Sequence, residues 1–86
     1  MAYSERFEEA LTYAAQLHRS QIRKGTDVPY VTHLLSVAAM VGEHGGDEEQ
    51  VIAGLLHDAV EDQGGAQTLA EIRNRFGDEV AAIVEG

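Results

Sequence analysis

Residues 55–62 read LLHDAVED, which joins an apolar pair to one histidine and three acids. The apolar pattern before and within this stretch predicts a helix that carries it near the carboxyl end. Residues four apart share a helical face, so His57 is expected to line up with Glu61, and Asp58 with Asp62. Charged groups at the end of so apolar a helix need partners. The stretch therefore predicts a polar site at a helix end.

A divalent metal ion is one such partner. A histidine nitrogen together with a carboxylate oxygen suits Mn, Fe, Co or Zn, and His57 and Asp58 supply both. His33, at the start of the preceding apolar helix, is the natural third ligand. Glu61 and Asp62 are then candidates for handling protons, which points to metal-assisted hydrolysis. The alternative is a structural ion-pair cluster without a metal.

The remainder of the chain predicts an all-α fold of five helices. Capping residues mark the helix starts, and glycine and proline mark the breaks. The third helix is predicted to continue through His57 to Val60. His18 lies on an apolar face, which favours a hydrogen-bonded core histidine, and His44 is expected to be exposed without a role. The predicted starts are Ser4, a position near Thr32, Asp47, Thr68 and Asp78; the predicted ends are near Ser20 and at Gly45, Gly64 and Gly77.

Two apolar segments carry further expectations. Residues 34–41 have almost no polar face, so the second helix is predicted to be deeply buried. At the end of the chain, Val80, Ile83 and Val84 form an apolar stripe with nothing after it to cover it. We therefore expect either a homo-oligomer that pairs through this stripe or a longer protein whose later helices cover it.

Composition excludes several classes of function. The 86 residues make one domain at most and contain no cysteine, which favours a reducing cytoplasm. No apolar run reaches membrane-spanning length. The net charge of −9 argues against nucleic acid as a partner. Arg23 and Lys24, close to Arg19, nevertheless form a local cationic patch that suits a small polyanion; the alternative is an ordinary solvated loop.

The order of several motifs resembles the hydrolase domain of the RelA/SpoT family, within the HD-domain phosphohydrolases. The resemblance covers nearly the whole chain, from about Phe7 to Gly86. It implies an all-α HD-type helical bundle. The stretches that carry it are AAQLH at 14–18, QIRKG at 21–25, PYVTH at 29–33, LLHDAVED at 55–62, and FGDEV at 76–80.

The resemblance also implies an activity, a cofactor and residue roles. Members of this family remove pyrophosphate from the 3′ position of guanosine tetra- and pentaphosphate with Mn²⁺, and another divalent transition metal is an alternative. The partner is then a guanosine polyphosphate substrate. The implied roles are metal ligands His33, His57 and Asp58, catalytic carboxylates Glu61 and Asp62, and substrate-binding residues Arg23 and Lys24.

One part of the family's pattern lies outside this sequence. The family's fourth metal ligand is an Asp on a later helix, so residues 1–86 are expected to be an HD-type domain truncated at its carboxyl end, or only its N-terminal part. Two other functions stay open. One is an HD phosphohydrolase acting on another nucleotide, and the other is a regulatory module that binds an alarmone or a partner without turnover.

Overall fold

The computed structural model describes residues 2–86, so Met1 of the expected 1–86 domain lies outside the described residues. The predicted all-α class is confirmed. Across this described part, no helix is long and apolar enough to cross a membrane. The six helices are α1 (Glu5–Leu17), α2 (Tyr30–Glu43), α3 (Glu48–Leu56), α4 (Ala59–Asp62), α5 (Gly65–Phe76) and α6 (Asp78–Glu85).

Helix α3 is the centre of the core. Every residue from Val51 to Leu56 is buried, and α3 packs against α1, α2 and α6. Gly54 faces α2, and a Cβ there would lie at an ordinary contact distance of 3.5 Å from the Cα of Ala38. Burying a Leu or Ile side chain contributes roughly 1.5–3 kcal/mol, so this helix supplies much of the stability. The site at its carboxyl end is therefore attached to the most extensively buried helix.

Two predicted helix starts are confirmed by their caps. The Ser4 side chain accepts from the Arg6 N–H, and Asp47 forms a capping box with Gln50. The neighbouring boundaries differ from the predictions by two or three residues. Helix α1 ends at Leu17 and not near Ser20, and α2 begins at Tyr30 and not near Thr32.

The predicted capping box at Thr68 is wrong. Helix α5 already begins at Gly65, and Thr68 lies inside it with only 8% of its surface exposed. Its hydroxyl donates to the Gln63 carbonyl at 2.6 Å and not to its own helix start. Gly64, with φ of +125°, makes the turn that brings these two residues together. The threonine thus ties the start of α5 to the end of α4.

The predicted deep burial of α2 is also wrong. Only Leu34 and Ala38 are buried, whereas Leu35 is 44% and Met40 is 57% exposed. The helix packs mainly on α3 and touches α1 lightly, so one of its apolar faces meets no other helix of the described chain. An apolar pattern alone does not tell how many neighbours a helix has.

The carboxyl-terminal stripe is largely covered within the chain. Val80 is completely buried because α6 packs on both α3 and α5. Val84 is partly buried, and Ile83 remains 43% exposed. The core therefore closes over the first half of the stripe, and Ile83 is its exposed remainder.

Candidate metal centre

The site lies where a continuous helix was predicted, and that prediction is wrong. Helix α3 ends at Leu56, and α4 begins at Ala59. The carbonyl of Gly54, which an uninterrupted helix would pair with the Asp58 N–H, accepts a hydrogen bond from Nδ1 of His57 at 2.7 Å. Asp58 takes φ −97° and ψ −2°, away from ideal helical values. His57 and Asp58 therefore sit on a short turn between two helices.

This turn brings three metal-binding side chains together. His33 of α2 meets His57 and Asp58, and one ligand atom from each lies within 4.8 Å of the others. Oδ2 of Asp58 is 2.9 Å from Nε2 of His57 and 3.9 Å from Nε2 of His33. All three side chains are partly buried. The packing of α2 on α3 is what places His33 beside the other two.

The donor set fits a divalent transition metal. Two imidazole nitrogens and one carboxylate oxygen are ligands that Mn, Fe, Co and Zn accept. His57 also has the backing that metal-bound histidines commonly show, because its Nδ1 donates to the Gly54 carbonyl. That leaves two acceptor atoms, Nε2 of His57 and Oδ2 of Asp58, only 2.9 Å apart, a contact that a second proton or a shared metal ion would stabilise. The first case is the ion-pair alternative, and the second is the metal site.

Tyr30 belongs to the site, although the sequence did not indicate it. Its hydroxyl donates to Oδ2 of Asp58, and this hydrogen bond, with burial and the charges of Asp58 and Asp62, raises the pKa of Tyr30 to about 12. Its ring lies between those of His18 and His33, with centroid distances of 5.2 and 5.4 Å. The sequence signal that was overlooked is the spacing, because Tyr30 precedes His33 by three residues and shares its helical face.

The two candidate catalytic acids lie on α4, next to the three ligands. Both Glu61 and Asp62 are exposed. The Asp62 backbone N–H donates to the Asp58 carbonyl at 3.0 Å, so Asp62 follows the metal ligand by one helical turn. Its carboxylate also accepts a hydrogen bond from Gln21 at 3.2 Å. The structure therefore holds Asp62 by a side-chain contact, whereas Glu61 projects into solvent.

The candidate substrate residues lie on the loop between α1 and α2. Arg23 and Lys24 are both exposed. The Arg23 N–H donates to the Val28 carbonyl at 2.9 Å, and the Tyr30 N–H donates to the Gln21 carbonyl at 2.8 Å. These bonds fold the loop into a narrow hairpin. The positive charge of Arg23 lowers the pKa of Tyr30, although the nearby carboxylates and burial outweigh this effect.

The other two histidines differ from each other as expected. His18 is only 1% exposed and its Nδ1 lies 2.7 Å from Oε1 of Gln21. His44 is exposed, and its Nδ1 lies 2.8 Å from the Met40 carbonyl. Neither is among the three converging ligands.

Comparison with known proteins places these features in a family. The HD-domain family profile matches residues 10–86. The chain is 44% identical over 84 residues to the guanosine-3′,5′-bis(diphosphate) 3′-pyrophosphohydrolase of Aquifex aeolicus, covering 98% of this chain and 12% of that protein. It is 42% identical over 79 residues to the GTP pyrophosphokinase of Myxococcus xanthus, covering 92% of this chain and 10% of that protein.

A solved structure agrees with this likeness. The structure of a metazoan orthologue of SpoT, described as hydrolysing ppGpp with a role in starvation responses, superposes with a TM-score of 0.88 at 35% identity. The superposition covers 99% of this chain and 48% of that one. The resemblance drawn from the motifs is confirmed, and the chain spans roughly a tenth of the length of the two curated relatives.

Proposed function

Because the chain belongs to the HD-domain family, we propose that it is a metal-dependent phosphohydrolase that removes the 3′ pyrophosphate from guanosine tetra- or pentaphosphate. One observation carries the proposal: the convergence of His33, His57 and Asp58 at a turn that also presents two acids. Such a site suits hydrolysis of a phosphoester with help from a divalent ion.

The relatives bear two kinds of name, and the site favours one of them. Some are named for hydrolysis and others for pyrophosphate transfer from a nucleotide, but this chain matches only about a tenth of each. Within the matched part lie two imidazoles, the Asp58 carboxylate and two further acids. Those groups are the ones that activation of water requires. We therefore assign this part of the relatives to the hydrolytic activity.

The proposed roles follow from the placement of each group. His33, His57 and Asp58 hold the ion, with Tyr30 and the Gly54 carbonyl fixing the orientation of two of these ligands. A divalent ion held there would lower the pKa of a water molecule and polarise a phosphate oxygen. The proposed ion is Mn²⁺, with another divalent transition metal as the alternative.

Glu61 and Asp62 act on the water. One of these carboxylates accepts the proton as the water oxygen bonds to phosphorus. The bond between phosphorus and the 3′ oxygen breaks, the proton held by the carboxylic acid passes to that oxygen, and the products are pyrophosphate and a nucleotide with a 3′ hydroxyl. Arg23 and Lys24 offset the charge of the substrate, since a chain of net charge −9 otherwise repels a polyanion. A cytoplasmic location and a homo-oligomer stay predictions.

A nucleotide panel tests the proposal. The purified chain is incubated with Mn²⁺ and with guanosine and adenosine nucleotides that carry 3′ or 5′ diphosphates, and pyrophosphate release is measured. We expect Mn²⁺-dependent release from guanosine 3′,5′-bis(diphosphate), absent in Asp58→Asn. Release from a different nucleotide alone would indicate an HD phosphohydrolase of other specificity. Tight nucleotide binding without release would indicate the regulatory module and overturn the enzyme assignment.

A further inference from the structure

A hydrogen-bonded series of polar side chains runs from the interior to Asp62, and its middle member is Gln21. The side-chain amide of Gln21 donates from Nε2 to Oδ2 of Asp62 at 3.2 Å. Its Oε1 lies 2.8 Å from Nε2 of Gln63 and 2.7 Å from Nδ1 of His18. Gln21 lies in the loop after α1, while Asp62 and Gln63 lie at the end of α4. The amide thus joins two segments 41 residues apart in sequence.

The Asp62 carboxylate determines the direction of every hydrogen bond in this series. An ionised Asp62 only accepts, so the Gln21 atom that faces it must be the NH₂ nitrogen. The Oε1 atom therefore faces the other way, and both of its neighbours must donate. Gln63 donates through its amide, and His18 donates through Nδ1–H. Two donors hold the Gln21 amide in the one orientation that offers a hydrogen to Asp62.

His18 is the innermost member of the hydrogen-bonded series. It is buried to 99% of its surface, and its ring stacks on Tyr30 with the centroids 5.2 Å apart. Its Nε2 is a buried atom with no hydrogen-bond partner among the described residues. The hydrogen bond to Gln21 is therefore the one polar contact of the His18 side chain among the described residues.

We propose that Gln21, held by His18 and Gln63, is a positioning residue that fixes the Asp62 carboxylate for its work on the water. This inference rests on the proposed hydrolase function for its catalytic consequence. Asp62 is exposed, so without Gln21 its side chain is free to rotate in solvent. Glu61, the neighbouring acid, is exposed without being fixed in this way. The geometry therefore makes Asp62 the preorganised member of the pair.

The first test compares side-chain orientation and needs no activity. Three-bond coupling constants report whether the Asp62 χ1 angle is single or averaged. We expect one rotamer in the wild type and averaging in Gln21→Met, which keeps the length of the side chain but has no amide. Gln67→Ala, at an exposed glutamine of α5, is the matched control and should behave as the wild type. Averaging of Asp62 in the wild type, or no change in Gln21→Met, would overturn the proposal.

Chemical shifts of the His18 ring nitrogens give a second readout of the same hydrogen-bonded series. In the wild type, Nδ1 of His18 is expected to carry a proton. An unprotonated Nδ1 would mean that Oε1 of Gln21 does not face His18, and the deduced direction of the bonds would be wrong.

The kinetic test separates this inference from the proposed function. Gln21→Met should lower kcat roughly tenfold or more while leaving KM and Mn²⁺ affinity near their wild-type values, since a hydrogen bond to a charged group is lost. Gln63→Met should have a smaller effect, because His18 still holds the amide. An active wild type with full kcat in Gln21→Met contradicts the positioning role alone. An inactive wild type in which Asp62 still shows one Gln21-dependent rotamer contradicts the proposed function alone.

Discussion

The acidic side chains at the two ends of α3 differ in how their partners are arranged. At the amino end, Asp47 forms a capping box, Glu48 accepts two hydrogen bonds from Ser4, and Glu49 pairs with Arg6. At the carboxyl end, Tyr30 and both nearby histidines crowd around a single oxygen of Asp58. The same helix thus has one end where three acids are spread over several partners, with Arg6 near both Glu48 and Glu49, and one end where several groups surround one acid.

This difference separates stability from function. The caps and ion pairs of the amino end satisfy the first N–H groups of the helix and fasten α1 to it. The carboxyl end interrupts the helix, leaves Glu61 in solvent and points two imidazoles at one carboxylate. Such an arrangement contributes little to folding without a cation. Substitutions at the two ends should therefore have separable effects, and each prediction below tests that separation.

The largest effect is expected from His57→Ala. Removing one of three converging ligands should abolish Mn²⁺ binding, since mostly water would remain to hold the ion. The fold should survive, because His57 lies beyond the buried part of α3. Calorimetric titration with Mn²⁺ measures the loss, and His44→Ala, at an exposed histidine just after the carboxyl end of α2, is the control. Equal binding by wild type and His57→Ala would show that the ion, if any, lies elsewhere.

Glu61→Gln should lower the turnover rate without changing the affinity for the metal ion. The amide keeps the shape of the side chain but cannot take a proton, so kcat should fall by roughly 10²–10⁴-fold. Mn²⁺ affinity should stay near the wild-type value. Steady-state kinetics with the best nucleotide of the panel measures the change. A variant with full turnover would show that Glu61 is only a solvated charge at a helix end.

Arg23→Ala should have a smaller effect, confined to the substrate. Loss of the guanidinium should raise KM several-fold, because one cation beside a polyanion at the surface is worth about 1 kcal/mol or slightly more. The wild type should also lose affinity faster than the variant as salt is added. Nucleotide titrations at low and high ionic strength measure both. Identical affinities and salt slopes would reduce Arg23 and Lys24 to ordinary loop residues.

The smallest effect is expected at the amino end of α3. Asp47→Ala removes the capping box and should lower the free energy of unfolding by about 1 kcal/mol. Mn²⁺ affinity should not change, since the cap lies at the opposite end of the helix from His57. Denaturant unfolding and a metal titration on the same sample give both values. A large loss of metal affinity in Asp47→Ala would mean that the two ends are not independent.

The sequence predicted the local features of both ends better than the contacts between them. The capping box of Asp47 and Gln50 is a pattern of neighbours, and it was found where expected. The sequence also predicted that His33 lies close to His57 and Asp58. His33 is near the start of one apolar helix, and the other two residues are at the end of the next. That these residues bind metal and carry out catalysis stays a prediction.

The sequence pattern did not predict contacts between residues that are far apart in the chain. Tyr30 and Asp58 are 28 residues apart, and Gln21 and Asp62 are 41 apart, so no periodicity connects them. The break at His57 was missed because the apolar spacing continues through Ala59 and Val60, while the side chain of His57 takes the Gly54 carbonyl. The exposure of Leu35 was missed for a similar reason, since the number of helices packed around α2 is a tertiary property.

Two histidines of this chain are proposed to bind one divalent ion together with Asp58. Electron spin echo spectroscopy of the Mn²⁺-loaded protein tests this binding directly, because it detects imidazole nitrogens bonded to the ion. We expect modulation from His33 and His57, reduced to one imidazole in His33→Ala and lost with the ion in His57→Ala. A spectrum of oxygen ligands alone, unchanged by either substitution, would contradict it.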